Sequence, residues 1–133
     1  MKSPTLRLMV LAFALTGAAG LVAADQPAGF SRKILLDQDL ATAGKHGAIA
    51  LIEFKPGGVA PKHFHPGEEF LYVLEGSVRI EIDGQAPRDL KPGDTLIIPS
   101  GVPHLGRNLG PAPAKILSTF FLEKGQPLAS PVK

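Results

Sequence analysis

Four positions in this sequence have the side-chain types and spacing to hold a metal ion: His63, His65, an acid at 68 or 69, and His104. On a β-strand, a spacing of two puts the rings of His63 and His65 on one face about 6.6 Å apart along the backbone. Two imidazoles so placed can converge on one ion at about 2.1 Å. A His-x-His pair alone also describes two exposed strand residues. Glu69 lies an even offset beyond His65 and returns to the same face if the strand runs on past Pro66-Gly67. A break at that pair would bring Glu68 there instead, so parity leaves both acids open. His104 follows the run Ile97-Ile98-Pro99-Ser100-Gly101-Val102-Pro103, where a returning strand would deliver a further ligand. His46, between Lys45 and Gly47 in a polar stretch, reads as an exposed loop residue.

The elements that must carry these side chains are short. Apolar residues come in runs of strand length, Ala48–Phe54, Phe70–Leu74, Ser77–Ile82, Asp94–Ile98 and Ala114–Leu122, and no segment keeps a helical period. Strict alternation through Val78, Ile80 and Ile82 against Ser77, Arg79 and Glu81 gives one packed face and one wet face. Asp83-Gly84 predicts a type I′ hairpin joining residues 78–82 to Ala86–Leu90. Lys55-Pro56-Gly57-Gly58 and Lys91-Pro92-Gly93-Asp94 predict type II turns, in which Pro presets φ and Gly supplies φ > 0. Strands at this spacing predict a small all-β sandwich or barrel, with no internal repeat.

Composition agrees. The chain has 133 residues, 44% hydrophobic and 20% charged, with 15 Gly, 13 Pro and no Cys. That excludes a disordered polyelectrolyte and argues against a helical bundle. Lys2 and Arg7, an apolar run from Leu8 to Leu15, and small residues to Ala24 have the layout of a secretory signal peptide, so residues 1–24 are expected to be cleaved and the protein exported to a periplasmic or extracellular space. Without its first 24 residues the 133-residue chain is 109 long and loses two of its 14 basic residues but none of its 12 acids, so the net charge of +2 falls to zero. Nothing in that balance supports a nucleic-acid partner, and none is expected with a membrane after cleavage. Residues 25–124 then form the expected single domain, and 125–133, with Pro127 and Pro131, a flexible tail.

The spacing of the motifs resembles a family. Gly57, five residues, His63-Phe64-His65, three residues, Glu69, six residues and Gly76 are similar to the first signature motif of the cupins. Gly93, five residues, Pro99-Ser100-Gly101, two residues, His104, three residues and Asn108 resemble the second, and the 16 residues from Ser77 to Pro92 between them suit the short microbial form. The resemblance implies a single-domain jelly-roll β-barrel with one divalent metal inside. It implies His63, His65, Glu69 and His104 as ligands, choosing Glu69 over Glu68, and Asn108 as a structural residue. Three neutral nitrogens and a carboxylate suit one divalent transition metal (Mn, Fe, Co, Ni, Cu or Zn) with two positions left for water, dioxygen or substrate.

Within that resemblance, the quercetin-dioxygenase-like group suggests a dioxygenase-like oxidoreductase in which Glu69 also serves as the catalytic base. The alternatives are a metal-dependent isomerase or lyase acting on a small carbonyl compound, and a non-catalytic ligand- or metal-binding cupin. By parity with Glu69, Leu71 and Val73 face inward; Val78, Ile80 and Ile82 offer another apolar face, and Phe54, Phe64, Phe70 and Phe120 are wall candidates. Arg79 and Arg107 alternate away, so few cations are expected at the cavity and a small, weakly charged enolic or phenolic substrate fits best. By analogy, a homodimer through Phe30–Leu36 is the expected assembly.

Overall fold

The alternating runs become strands in the computed structural model, which describes residues 29–133; the expected export signal at 1–24 lies outside them. In chain order the strands are β1 Phe30–Asp39, β2 Lys45–Phe54, β3 Val59–Phe64, β4 Gly67–Glu75, β5 Val78–Ile82, β6 Arg88–Leu90, β7 Thr95–Ile98, β8 His104–Arg107, β9 Ala114–Glu123 and β10 Ser130–Pro131. They form two five-stranded sheets, ordered β1-β2-β9-β4-β7 and β10-β3-β8-β5-β6. Every pairing is antiparallel. The architecture is the expected all-β jelly roll.

Period-two alternation sets the core. Ala48, Ala50, Ile52 and Phe54 of β2 point inward, as do Leu71 and Val73 of β4 and Ile116, Phe120 and Leu122 of β9. Val78, Ile80 and Ile82 of β5 and Ala60 of β3 meet them from the other sheet in one continuous cluster. Each fully buried large aliphatic or aromatic side chain contributes about 1.5–3 kcal/mol. With no disulfide available, this burial carries the fold.

The turns follow their chemistry with one exception. Gly58 N–H donates to the Lys55 carbonyl and Asp94 N–H to that of Lys91, with Gly57 and Gly93 at φ 76° and 92° in the third turn position, as type II requires. Between β5 and β6 only Gly84 has positive φ, and Gln85 N–H donates to the Ile82 carbonyl. The turn is therefore of the type II pattern and not type I′. A type I′ geometry is needed only for a two-residue hairpin, and the link here runs from Asp83 to Pro87.

The C-terminal residues expected as a flexible tail cross back over the barrel. Ser130 and Pro131 pair with Phe64 and His63 of β3, Val132 N–H donates to the Lys62 carbonyl, and Leu128 packs against the core. Leu128 gains apolar burial and the free edge of β3 gains backbone partners, which a composition rich in Pro does not reveal.

Candidate metal centre

Three histidines meet because two strands pair and one bends. β3 and β8 are neighbours, with His63 directly opposite His104 and a register shift between Ala60 and His63 that turns the His63 ring inward. His65 lies just past the end of β3, in the bend leading to β4. Its carbonyl accepts a hydrogen bond from Gly101 N–H at 2.9 Å, which ties this bend to the Pro99–Val102 turn preceding His104. The ring centroids stand 4.4 Å (His63 to His104), 4.8 Å (His63 to His65) and 5.1 Å (His65 to His104) apart. One ring nitrogen from each lies within 4.8 Å of the others. A bulge and a bend, more than strict strand alternation, bring about the convergence.

Glu69 reaches the same point from the opposite sheet. Its Oε2 lies 3.1 Å from His65 Nε2 and 3.4 Å from His104 Nε2. β4 can deliver it because Gly67 lets the strand press against β9: a Cβ there would sit 2.0 Å from the Phe121 carbonyl oxygen. Glu69 is 3% exposed, whereas Glu68 is half-buried on the other face, so alternation survives the Pro66-Gly67 pair.

The hydrogen bonds settle which nitrogens face inward. Nδ1 of His63 meets the Pro61 carbonyl at 2.6 Å, that of His65 the Leu128 carbonyl at 2.5 Å, and that of His104 the Val102 carbonyl at 3.0 Å. A carbonyl only accepts, so each Nδ1 carries the proton, and in the neutral ring Nε2 presents a lone pair to the interior. The Nε2 atoms of His65 and His104 are buried with no hydrogen-bond partner among the described residues. Lone pairs from these imidazoles and a carboxylate facing one point repel unless a cation lies between them. The donor set therefore fits a divalent transition metal.

Charge states agree with that fit. Burial pushes the His63 pKa down to about 4, against a weaker pull upward from the Pro61 carbonyl, and keeps the ring neutral at physiological pH. Burial alone would push the Glu69 carboxyl up, but the facing His104 and His65 side chains outweigh it and hold the group below the usual carboxylate range, as an anion. Asn108, fully buried, donates from Nδ2 to the Ala112 carbonyl at 2.7 Å and accepts at Oδ1 from Gly110 N–H at 2.9 Å, which fixes the exit of β8.

A narrow cavity of about 30 Å³ opens beside the cluster, lined by His63, Glu69 and His104 and walled by Phe54, Leu71 and Ile80 among others. Arg79 and Arg107 face outward, Arg79 hydrogen-bonded to Asp89 and Arg107 ion-paired with Glu81. The expectation of few cations nonetheless misses Arg32, which lines the cavity. It sits on the N-terminal strand outside both motifs, and its only sequence signal is alternation with Phe30. Phe70 is not a wall residue: parity with Glu69 turns it outward, where it is 44% exposed. Phe64 is half-buried beside β10, away from the cavity lining. His46 belongs to β2, not to a loop, and its ring bridges Asp37 and Asp39 of β1.

Comparison with known proteins agrees with the geometry. The profile of the cupin domain matches residues 50–120, a span that includes all four converging side chains. Germin-like protein subfamily 2 member 2 of Arabidopsis thaliana is 36% identical over 78 residues, covering 55% of this chain and 36% of the relative. The chain thus spans just over a third of the length of the curated relatives it matches first. The dimethylsulfoniopropionate lyase DddQ of Ruegeria pomeroyi is 41% identical over 59 residues, covering 44% of this chain and 29% of the relative. Its crystal structure superposes with a TM-score of 0.66 at 26% identity, over 78% of this chain and 52% of that one. The polyketide cyclase RemF of Streptomyces resistomycificus superposes with a TM-score of 0.64 at 27% identity, over 80% and 73% of the two chains.

Proposed function

This chain belongs to the cupin family, and from that premise we propose that it is a mononuclear metal-dependent enzyme of the dioxygenase-like oxidoreductase type, acting on a small enolic or phenolic compound. His63, His65, His104 and Glu69 hold one divalent transition metal. The observation that carries this reading is the convergence of imidazole lone pairs and one buried carboxylate on a single point inside an apolar barrel.

The bound metal supplies Lewis acidity toward a substrate oxygen and, where it is redox-active, electrons for dioxygen chemistry. The protein supplies the rest. The three backbone carbonyls on Nδ1 lock each imidazole in the tautomer that leaves Nε2 free. Glu69, held ionised in a dry site, can leave its imidazole neighbours and take the proton of an enol or phenol within hydrogen-bond reach. Apolar walls at Phe54, Leu71 and Ile80 exclude bulk water and strengthen the electrostatics inside.

The similarity to a lyase and a cyclase favours a second reading of the same site. There the metal acts on a carbonyl as a Lewis acid, Glu69 moves the proton, and dioxygen has no part. Export belongs to the proposal on the strength of residues 1–24 and is checked by fractionating the producing cell.

Metal analysis coupled to an oxygen-uptake screen with enolic and phenolic compounds tests the proposal. The chain should hold close to one metal ion, and His63→Ala combined with His104→Ala should lose most of it; full occupancy in that double variant would remove the site. Uptake abolished by Glu69→Gln supports the oxygenase. Product formed without oxygen supports the second reading, and stoichiometric binding with no turnover would make this a binding protein.

A further inference from the structure

Arg32 is paired unlike the other arginines whose contacts define the barrel surface. Arg79 grips Asp89 through two bonds of 2.7 Å and Arg107 meets Glu81 at 3.0 Å, all on outer faces. Phe30 and Arg32 alternate on the inner side of β1, opposite Phe54 and Ile52 of β2. The guanidinium carbon stands 5.8 Å from the centroid of the Phe30 ring, which in turn packs on Phe54 at 5.4 Å. Arg32 Nε is buried with neither a hydrogen-bond partner nor an ion pair among the described residues, whereas Arg107 Nε, also without a hydrogen bond, keeps Glu81 at 3.0 Å. Burial disfavours the charge here, and Glu69 favours it from a distance without a contact.

A guanidinium stays protonated wherever it is placed, so an inward Nε–H with no acceptor is a standing cost unless a ligand supplies one. The charges around the cavity point the same way. A divalent ion and Arg32 against the one carboxylate of Glu69 leave an excess of positive charge that an entering anion would relieve. The fork of Arg32 matches the two oxygens of a carboxylate. A phosphate would want further cationic donors, and Arg32 is the single Lys or Arg in the lining. The apolar remainder of the lining limits the ligand to one with few polar groups beyond those that meet Arg32 and the cluster.

We propose that Arg32 anchors a substrate carboxylate, so that the site takes a small organic acid with its carboxylate on Arg32 and a second oxygen directed at the His63, His65, His104 and Glu69 cluster. The placement of the second oxygen and the excess of positive charge rest on the metal-centre reading above; the Arg32 contact rests on its unpartnered Nε–H in the lining. Specificity then comes from the N-terminal strand and not from either histidine motif.

Calorimetric titration of the full chain, metal-free and cobalt(II)-loaded, with lactate and malonate against their amides tests this. The wild type should bind the acids at least tenfold more tightly than the amides, and Arg32→Gln should lose that preference in both states at unchanged metal content. Arg32→Lys, which keeps the charge without the fork, should keep part of it, and thermal melts of both variants establish that they fold. The cobalt absorption bands should shift on acid binding in the wild type. No measurable acid binding, an equal response to acid and amide, tighter binding of inorganic phosphate, or an acid preference untouched in Arg32→Gln would overturn the proposal. Arg32-dependent acid binding in a protein that holds no metal would overturn the metal centre and leave the anchor standing.

Discussion

Each histidine of this chain has its state set by what its second nitrogen touches. His63, His65 and His104 spend Nδ1 on a backbone carbonyl and keep Nε2 for the interior. His46 uses both nitrogens on carboxylates, Nδ1 on Asp39 at 3.0 Å and Nε2 on Asp37. The hydrogen bond to Asp39 raises the His46 pKa, partial desolvation opposes it, and Asp37 adds to the rise. With the folded value above the unfolded one, the pairing stabilises fully below about 6.5 and is lost as pH climbs through the folded value. The contact is solvent-screened, so the effect on stability is small and the titration itself is the readout. By NMR the His46 ring should titrate above about 6.5 and move back toward that value in Asp39→Asn; an unchanged midpoint in the variant would break the assignment.

At the scale of elements, the site depends on a segment that carries none of its ligands. β10 and the residues before it hold His65 through the Leu128 carbonyl and cover the edge of β3 that bears His63. Outer partners of this kind are worth about 10–100-fold in metal affinity. Deleting residues 125–133 should therefore weaken metal binding by about that factor while the remaining strands keep their circular-dichroism signature. Competition against a chromophoric chelator measures it, and an unchanged affinity would show that His65 needs no such anchor. β4 offers a second check. Gly67→Ala puts a methyl group into the β9 backbone at Phe121, an overpacking that should cost about 1–3 kcal/mol in denaturant unfolding and displace Glu69.

For the whole molecule, the centre joins the two sheets. His63 and His104 belong to one, Glu69 to the other, and His65 to the bend between them. An ion held by all four is a cross-link in a barrel that has no disulfide. A metal that binds only the folded state at about 100 times its Kd adds about 2.7 kcal/mol. That should raise Tm by something on the order of 10 °C for a domain of this size. Differential scanning calorimetry with and without a chelator tests this, and the His63→Ala, His104→Ala double variant should show no metal-dependent shift. An equal shift in the double variant would place the ion elsewhere.

Most of the strands, both Pro-Gly turns and the four converging side chains were legible in the sequence, because period-two alternation, turn chemistry and motif spacing are local properties. Parity alone could not choose between Glu68 and Glu69, since Pro66-Gly67 interrupts the pattern; pairing of β4 with β9 keeps the alternation and decides it. Phe70 was misplaced although the same parity already turned it outward. Other features had no local signal. The Asp83-Gly84 turn took its form from the length of its link, the C-terminal residues found an edge to cover, and Arg32 entered the cavity because β1 pairs with β2 in a register that sets it opposite Ile52. By itself the sequence determined a small all-β sandwich or barrel, and its resemblance to the cupins implied a jelly roll with a histidine and glutamate cluster. Only the tertiary structure decided what else faces that cluster, because register and edge pairing are set by contacts between residues far apart in the chain.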